Sequence, residues 1–253
     1  MTATKTRRLQ LENLEARELK AGNVQVYFAN SDLYIVGDNA ANAVSVRQSS
    51  PGVYKISGNT WAGDYTRING YANGTCTASG INHDVRVIMQ GGNDQLDFGV
   101  GDQRVINVPN MLAIDMGTGN DNVAIRDVKT GSMLSVNTGT GVDSTYAVGA
   151  DVGTHFSIGD GGPVNYGDSD RATVLWSKVR AQLGFWSNQG NDSFDVESTT
   201  ADSLFATLGA GDDTFQMNNS SVRSFNLQGG TGYDTFFAPG SPFVGSGFES
   251  IRR

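Results

Sequence analysis

The chain has 253 residues, enough for one elongated domain or two small ones, with 33 glycines, 5 prolines and a formal net charge of −8. The acidic balance and the lack of a basic stripe argue against a nucleic-acid partner, and no apolar run approaches the ~18 residues of a membrane span. Cys76 is the only cysteine, so no intramolecular disulfide framework exists.

Residues 7–20 read Arg-Arg-Leu-Gln-Leu-Glu-Asn-Leu-Glu-Ala-Arg-Glu-Leu-Lys. This stretch is charged, rich in helix formers and free of β-branched residues. Through Leu11, Glu12, Leu14, Glu15, Arg17 and Leu19 it resembles the N-terminal Leu-Glu-x-Leu-Glu-x-Arg-x-Leu segment of many exported planctomycete proteins. The resemblance implies an export or sorting role for residues 1–22. The residues alone also allow a short amphipathic helix that caps an open strand edge. No apolar core of a secretory signal peptide is visible near the N-terminus.

Residues 23–84 form a second region. Leu33 and Ile35 stand nine and seven residues before Asn42, with Val44 two after it, which reads as a degenerate repeat unit. A β-hairpin cap over Val24–Val46 and Val53–Ser57 is expected, and Asn69-Gly70 and Asn73-Gly74 read as turns. The 52 residues from Asn42 to Asp94 leave room for one coil or hairpin.

From residue 85 to 253 the chain repeats. Seven sites align on one residue: Asp94, Asp121, Asp143, Asn165, Asp192, Asp213 and Asp234, spaced by 27, 22, 22, 27, 21 and 21. Nine and seven residues upstream stand Val85/Val87, Leu112/Ile114, Leu134/Val136, Phe156/Ile158, Leu183/Phe185, Leu204/Ala206 and Phe225/Leu227. Two residues downstream stand Leu96, Val123, Thr145, Gly167, Phe194, Phe215 and Phe236. Alternate apolar positions stay on one side of a strand but not of a helix. No unit can bury its apolar row alone, whereas parallel stacking lets neighbours bury one another. The predicted fold is therefore all-β, a right-handed parallel β-helix. Seven coils make a rod of roughly 34 Å. An ordinary β-sandwich also alternates, but it leaves the locked offsets without a cause.

The turns read Gly91-Gly92-Asn93-Asp94, Gly117-Thr118-Gly119-Asn120-Asp121, Gly139-Thr140-Gly141-Val142-Asp143, Gly190-Asn191-Asp192, Gly209-Ala210-Gly211-Asp212-Asp213 and Gly229-Gly230-Thr231-Gly232-Tyr233-Asp234-Thr235-Phe236. The last fits the nonapeptide pattern through its apolar position. Here the chain resembles the repeats-in-toxin, or haemolysin-type calcium-binding, family. The resemblance implies Ca²⁺ as cofactor, held by Asp94, Asp121, Asp143, Asp192, Asp212, Asp213 and Asp234 together with turn carbonyls. The chain departs from that family in carrying one motif per coil rather than a tandem array. A second reading needs no metal: each side chain caps its own turn by accepting backbone N–H bonds.

Right-handed β-helices also host polysaccharide lyases and glycoside hydrolases. The best site for such chemistry is the irregular stretch with Asp160, Asp168 and Asp170, provided it converges with Lys178 or Arg180. No catalytic motif occurs there. His83 and His155 share no ligand spacing, so zinc is not expected. Trp61, Trp176 and Trp186 either pack or line a sugar-binding face. The expectation is a non-enzymatic extracellular or cell-surface module in a structural or adhesive role. Its expected partner is a cell-surface or matrix polysaccharide or protein.

Overall fold

A computed structural model describes residues 22–61, 64–72, 74–99, 104–160, 168–239 and 246–252. The Leu-Glu segment lies outside them, as do Pro163, Asn165 and Gly167. Among the described residues all regular structure is β.

Each repeat gives one strand to each of two long sheets. In the first, Asp32–Val36, Val85–Ile88, Leu112–Asp115, Leu134–Asn137, Phe156–Gly159, Lys178–Trp186, Thr200–Ala210 and Ser221–Thr231 pair in parallel, neighbour to neighbour. In the second, Ala43–Ser50, Gln95–Phe98, Asn122–Arg126, Ser144–Val148, Arg171–Leu175, Ser193–Glu197, Thr214–Asn218, Thr235–Phe237 and Ser250–Arg252 do the same. Short strands Ile106–Val108, Val128–Thr130 and Asp151–Val152 form a further column, which joins the first sheet at Lys178 and Val179.

The alternation read from the sequence sets which side chains face in. Leu112, Leu134, Phe156 and Leu183 stack in direct register in one sheet, each fully buried. Ile114, Val136, Ile158 and Phe185 stack beside them. Residues from both sheets share a single apolar cluster. Toward the C-terminal end its filling becomes aromatic. Phe185 stacks on Phe194 at 4.6 Å, Phe215 meets Phe194 edge-on at 5.1 Å, and Phe236 follows at 5.5 Å. Offset and edge-on rings add roughly 0.5–1.5 kcal/mol per pair to what burial supplies.

One repeat is placed differently from the sequence reading. The member between Asp143 and Asp192 is Asp170, not Asn165, and the inward residue after it is Ala172, paired with Thr145 and Phe194. The upstream pair Phe156/Ile158 stands where expected. The sequence reading put the extra residues after the turn, whereas they lie between Ile158 and Asp170. In the other 27-residue repeat they follow Phe98 instead. Length is thus added at two different corners, which a fixed offset cannot represent.

The 52 residues between Asn42 and Asp94 add no coil, because Ala43–Ser50 pairs directly with Gln95–Phe98. Antiparallel strands fill the gap instead: Val53–Gly58 folds back on Ala43–Ser50, and Thr75–Ser79 pairs with Val53–Gly58. Asn23–Ala29 and Asp32–Val36 form a hairpin whose turn residues Asn30 and Ser31 have φ of 52° and 70°. Asn69 and Gly70, at φ 51° and 84°, make the turn expected there.

Candidate functional site

The residues expected to bind metal lie along one line of turns between the two sheets, and all of them but Asp212 face inward. Asn42, Asp94, Asp121, Asp143, Asp170, Asp192, Asp213 and Asp234 are between 0 and 7% exposed. They share the inward parity of the apolar residues two positions on. Each carboxylate reaches back to the preceding repeat. Asp94 Oδ1 accepts the Asn42 N–H at 2.7 Å, Asp121 Oδ1 that of Asp94 at 2.7 Å, and Asp143 Oδ1 that of Asp121 at 2.7 Å. Asp170 then accepts from Asp143 at 2.8 Å, Asp192 from Asp170 at 2.7 Å, Asp213 from Asp192 at 2.7 Å and Asp234 from Asp213 at 3.0 Å. Glu249 Oε2 ends the series on the Asp234 N–H at 2.6 Å. The side chains therefore cap the preceding coil's turn, not their own.

A second ladder runs one residue earlier, on the outward side and in the opposite sense. Asn93 Oδ1 accepts from Asn120 N–H, Asn120 Oδ1 from Val142, Asn191 Oδ1 from Asp212, and Asp212 Oδ1 from Tyr233, at 2.8–3.0 Å. Main-chain bonds close the rest of the corner: Gly92, Gly119 and Gly211 donate to Thr118, Thr140 and Thr231 carbonyls, each at 2.8 Å. The coils approach so closely here that a Cβ on Gly119, whose φ is +132°, would lie 1.8 Å from the Gly92 oxygen.

The inner ladder has an electrostatic consequence. The second carboxylate oxygen, Oδ2, of Asp94, Asp121, Asp143, Asp192, Asp213 and Asp234 is buried without a hydrogen-bond partner. Burial pushes Asp94 and Asp143 up to about 8, Asp170 and Asp213 to about 7, and Asp121 and Asp192 to about 6. The accepted N–H bonds pull the other way, and neighbouring carboxylates add to the rise at Asp94, Asp143, Asp170, Asp192 and Asp213. Asp234 moves in the same direction for the same leading cause.

The fold itself displays a neutral version of this arrangement. Asn42 occupies the first rung, and its Nδ2 donates to the carbonyl of Ala40, two residues back, at 2.7 Å. A hydroxyl column at another corner repeats the geometry. Ser177, Thr199 and Ser220 accept N–H bonds from Ala150, Ser177 and Thr199, while donating to carbonyls two residues back at 2.8–2.9 Å. A protonated Asp can do both jobs; an ionised one has no hydrogen to donate.

The carboxylates and cations proposed for hydrolysis do not converge. Asp170 belongs to the ladder, and Asp168 Oδ2 accepts the Gly141 N–H at 2.8 Å. Arg180 pairs with Asp151 at 2.7 Å and with the Val152 carbonyl at 3.1 Å. Lys178 and Arg180 line a groove of about 270 Å³ with Thr200, Asp202, Ser221 and Arg223, away from Asp160, Asp168 and Asp170. His155 is exposed at the start of its strand, and Trp176 is 63% exposed in a turn.

One cluster escaped the sequence reading. His83 Nδ1 lies 2.8 Å from Asp32 Oδ1 and 3.4 Å from Asp84 Oδ1. Among the described residues these three alone bring His, Cys, Asp or Glu ligand atoms within 4.8 Å of one another. Separation in sequence, 51 residues between Asp32 and His83, hid the pairing. The oxygens a metal would need are already occupied. Asp32 Oδ1 accepts the Asp84 N–H at 3.0 Å, and Asp84 Oδ1 accepts from Asn110 Nδ2 at 2.7 Å and Met111 N–H at 3.2 Å. Arg86 takes Asp84 Oδ2 at 2.8 Å. The cluster fits a hydrogen-bonded brace between the hairpin and the first coils.

Comparisons with protein-family models, with curated proteins and with solved structures find no match.

Proposed function

We propose that the chain is a right-handed parallel β-helix, with one coil per 21–27 residues, that serves as a non-catalytic structural or adhesive module outside the cell or at its surface. The observation that carries this reading is the closed corner. Carboxylates that a catalytic or ion-binding turn would present to solvent are instead consumed in stacking one coil on the next. Such a body is stiff and repetitive, and function then resides on its outer faces. The Leu-Glu segment supports export, as its resemblance implies. The test joins three measurements on the full chain: small-angle scattering, turnover of a polysaccharide panel, and labelling of intact source cells. A rod-like profile, no released product and label on unpermeabilised cells are expected. Product release, or label only after permeabilisation, overturns the reading.

Calcium enters as a competing occupant of the same carboxylates. The fit is poor at the inner column, where each Oδ1 already holds an N–H and where Gln90, Gly117, Thr118, Thr140 and Asn188 carbonyls accept main-chain donors. A proton satisfies the remaining oxygen with less rearrangement than an ion that takes 6–8 oxygens. Among the seven residues, only Asp212 is exposed, and its Oδ1 too accepts an N–H.

A further inference from the structure

The outer face of the first sheet carries a shallow trough of about 320 Å³ that the ladder does not use. Ser135 and Ser157 line it, with Ala113 and Gly184 as their register neighbours on the flanking strands. Asn137, Gly159 and Trp186 of the next outward register also line it, and Asp115 stands beside them through Asn137. The Trp186 indole folds back over Gly184, two residues earlier on the same strand. A Cβ on Gly184 would come within 2.3 Å of the ring atom Cη2, so the missing side chain is what seats the ring. Phe205 buttresses it at 5.5 Å, and the indole residue is still 38% exposed. Beside this platform Ser157 Oγ donates to Ser135 Oγ at 3.1 Å, and Asn137 Nδ2 donates to Asp115 Oδ1 at 3.1 Å.

We propose that this trough binds a neutral linear polysaccharide, with Trp186 as the stacking platform and Ser135, Ser157, Asn137 and Asp115 as the hydrogen-bonding rim. The chemistry selects the ligand. A sugar ring offers an apolar C–H face to an aromatic platform and a rim of hydroxyls to amide, hydroxyl and carboxylate groups. The carboxylates of Asp115 and Asp160 at the trough repel an anionic glycan. An apolar peptide would leave the Ser135, Ser157 and Asn137 polar groups without partners. Because neighbouring strands lie about 4.8 Å apart, a linear polymer running across the sheet meets Asp115, then Ser135 and Asn137, then Ser157 on three successive strands before it reaches Trp186. The proposal rests on the extracellular reading only for where the glycan is found; the trough itself does not depend on it.

The test is calorimetry and tryptophan fluorescence of the full chain with four neutral hexasaccharides, namely β-1,4-glucan, xylan, mannan and α-1,4-glucan, and with polygalacturonate. At least one neutral hexasaccharide is expected to bind and to perturb the fluorescence. Trp186→Ala should weaken it at least tenfold, and Trp186→Tyr should retain part of the affinity. Trp176→Ala, in a turn outside the trough, should leave binding unchanged. Asn137→Ala gives an independent loss should Trp186→Ala compromise folding, which circular dichroism reports. Absence of binding by all four neutral probes, binding indifferent to Trp186→Ala and Asn137→Ala in folded protein, or preference for polygalacturonate overturns the proposal. Surface labelling tests the extracellular reading separately, so either can fail alone.

Discussion

Replacing Asp143 by Asn should stabilise the protein at alkaline pH and flatten its pH dependence. Asp143 is 2% exposed, accepts the Asp121 N–H through Oδ1, and buries an Oδ2 without a partner. In the unfolded chain its carboxyl ionises near the ordinary 3.8, whereas burial and the nearby carboxylates of Asp170, Asp121 and Asp168 push it up to about 8 in the fold. Between those values the folded state keeps the proton and the unfolded state does not. Stability is therefore fully present below about pH 4 and is lost as pH rises through 8. At about 1.4 kcal/mol per pKa unit, the gap amounts to ~6 kcal/mol, a large part of the ~5–15 kcal/mol that holds a domain together. Asn keeps the acceptor and supplies a permanent donor, as Asn42 does toward Ala40. Urea unfolding followed by circular dichroism between pH 4 and 9 tests this. Near pH 4 the variant should match wild type within ~1 kcal/mol, the usual scale of one hydrogen bond; near pH 8 it should be more stable by several. Equal slopes for the two proteins, or a variant clearly weaker at pH 8, would refute the protonated ladder.

Other expectations follow from the same coordinates. Thermal unfolding in millimolar Ca²⁺ and in chelator should give the same Tm, for wild type and for Asp213→Asn with Asp234→Asn; a wild-type rise in calcium, worth ~2.7 kcal/mol at a hundredfold excess over Kd, would restore the ion to the column. Phe215→Ala removes a fully buried ring between Phe194 and Phe236. It should cost ~3–5 kcal/mol in chemical denaturation, and a loss below 1 kcal/mol would mean the corner repacks. Gly119→Ala sets a Cβ 1.8 Å from the Gly92 oxygen at φ +132° and should cost ~2 kcal/mol or more. A soluble variant with wild-type Tm would show that the coils are free to separate.

Much of the fold was legible because its signal is local and repeated. The −9/−7 apolar pairs required only alternation and counting, and Leu112, Leu134, Phe156 and Leu183 stack as that spacing predicts. The insertion was not legible. Phe156/Ile158 fixed one strand, but the extra residues could enter at any corner, and only pairing across coils reveals that Asp170 takes the rung. The Asp168-Ser169-Asp170 run therefore looked like a cluster of acids when two of its members are coil-to-coil caps. The Asp32–His83–Asp84 brace was half legible: Asp32 and Asp84 hold the same place before Leu33 and Val85, but nothing in the spacing showed that those two repeats are direct neighbours.

The direction of the aspartates is a different case, because the sequence did contain it. Asp94, Leu96 and Phe98 alternate with Asn93, Gln95 and Asp97, so Asp94 shares the parity of the core. Two considerations competed at that point. Charge belongs in water, which would turn the column outward toward an ion; strand parity turns it inward. Parity wins because the Asn42, Asp94, Asp121, Asp143, Asp170, Asp192 and Asp213 N–H groups are buried and take these carboxylates as acceptors, and an orphaned buried donor costs about 1–3 kcal/mol. A short acceptor facing inward resolves that orphan at every coil. The same reasoning explains why Ser177, Thr199 and Ser220 do equivalent work at another corner, where the side chain is neutral from the outset. An acid in such a place holds its proton more tightly than in water, because burial disfavours the carboxylate. Asn42 on the first rung is thus a neutral amide where the following rungs are acids. On the first rung no earlier repeat offers an N–H to accept, and what Asn42 contributes there is its Nδ2 donation to Ala40.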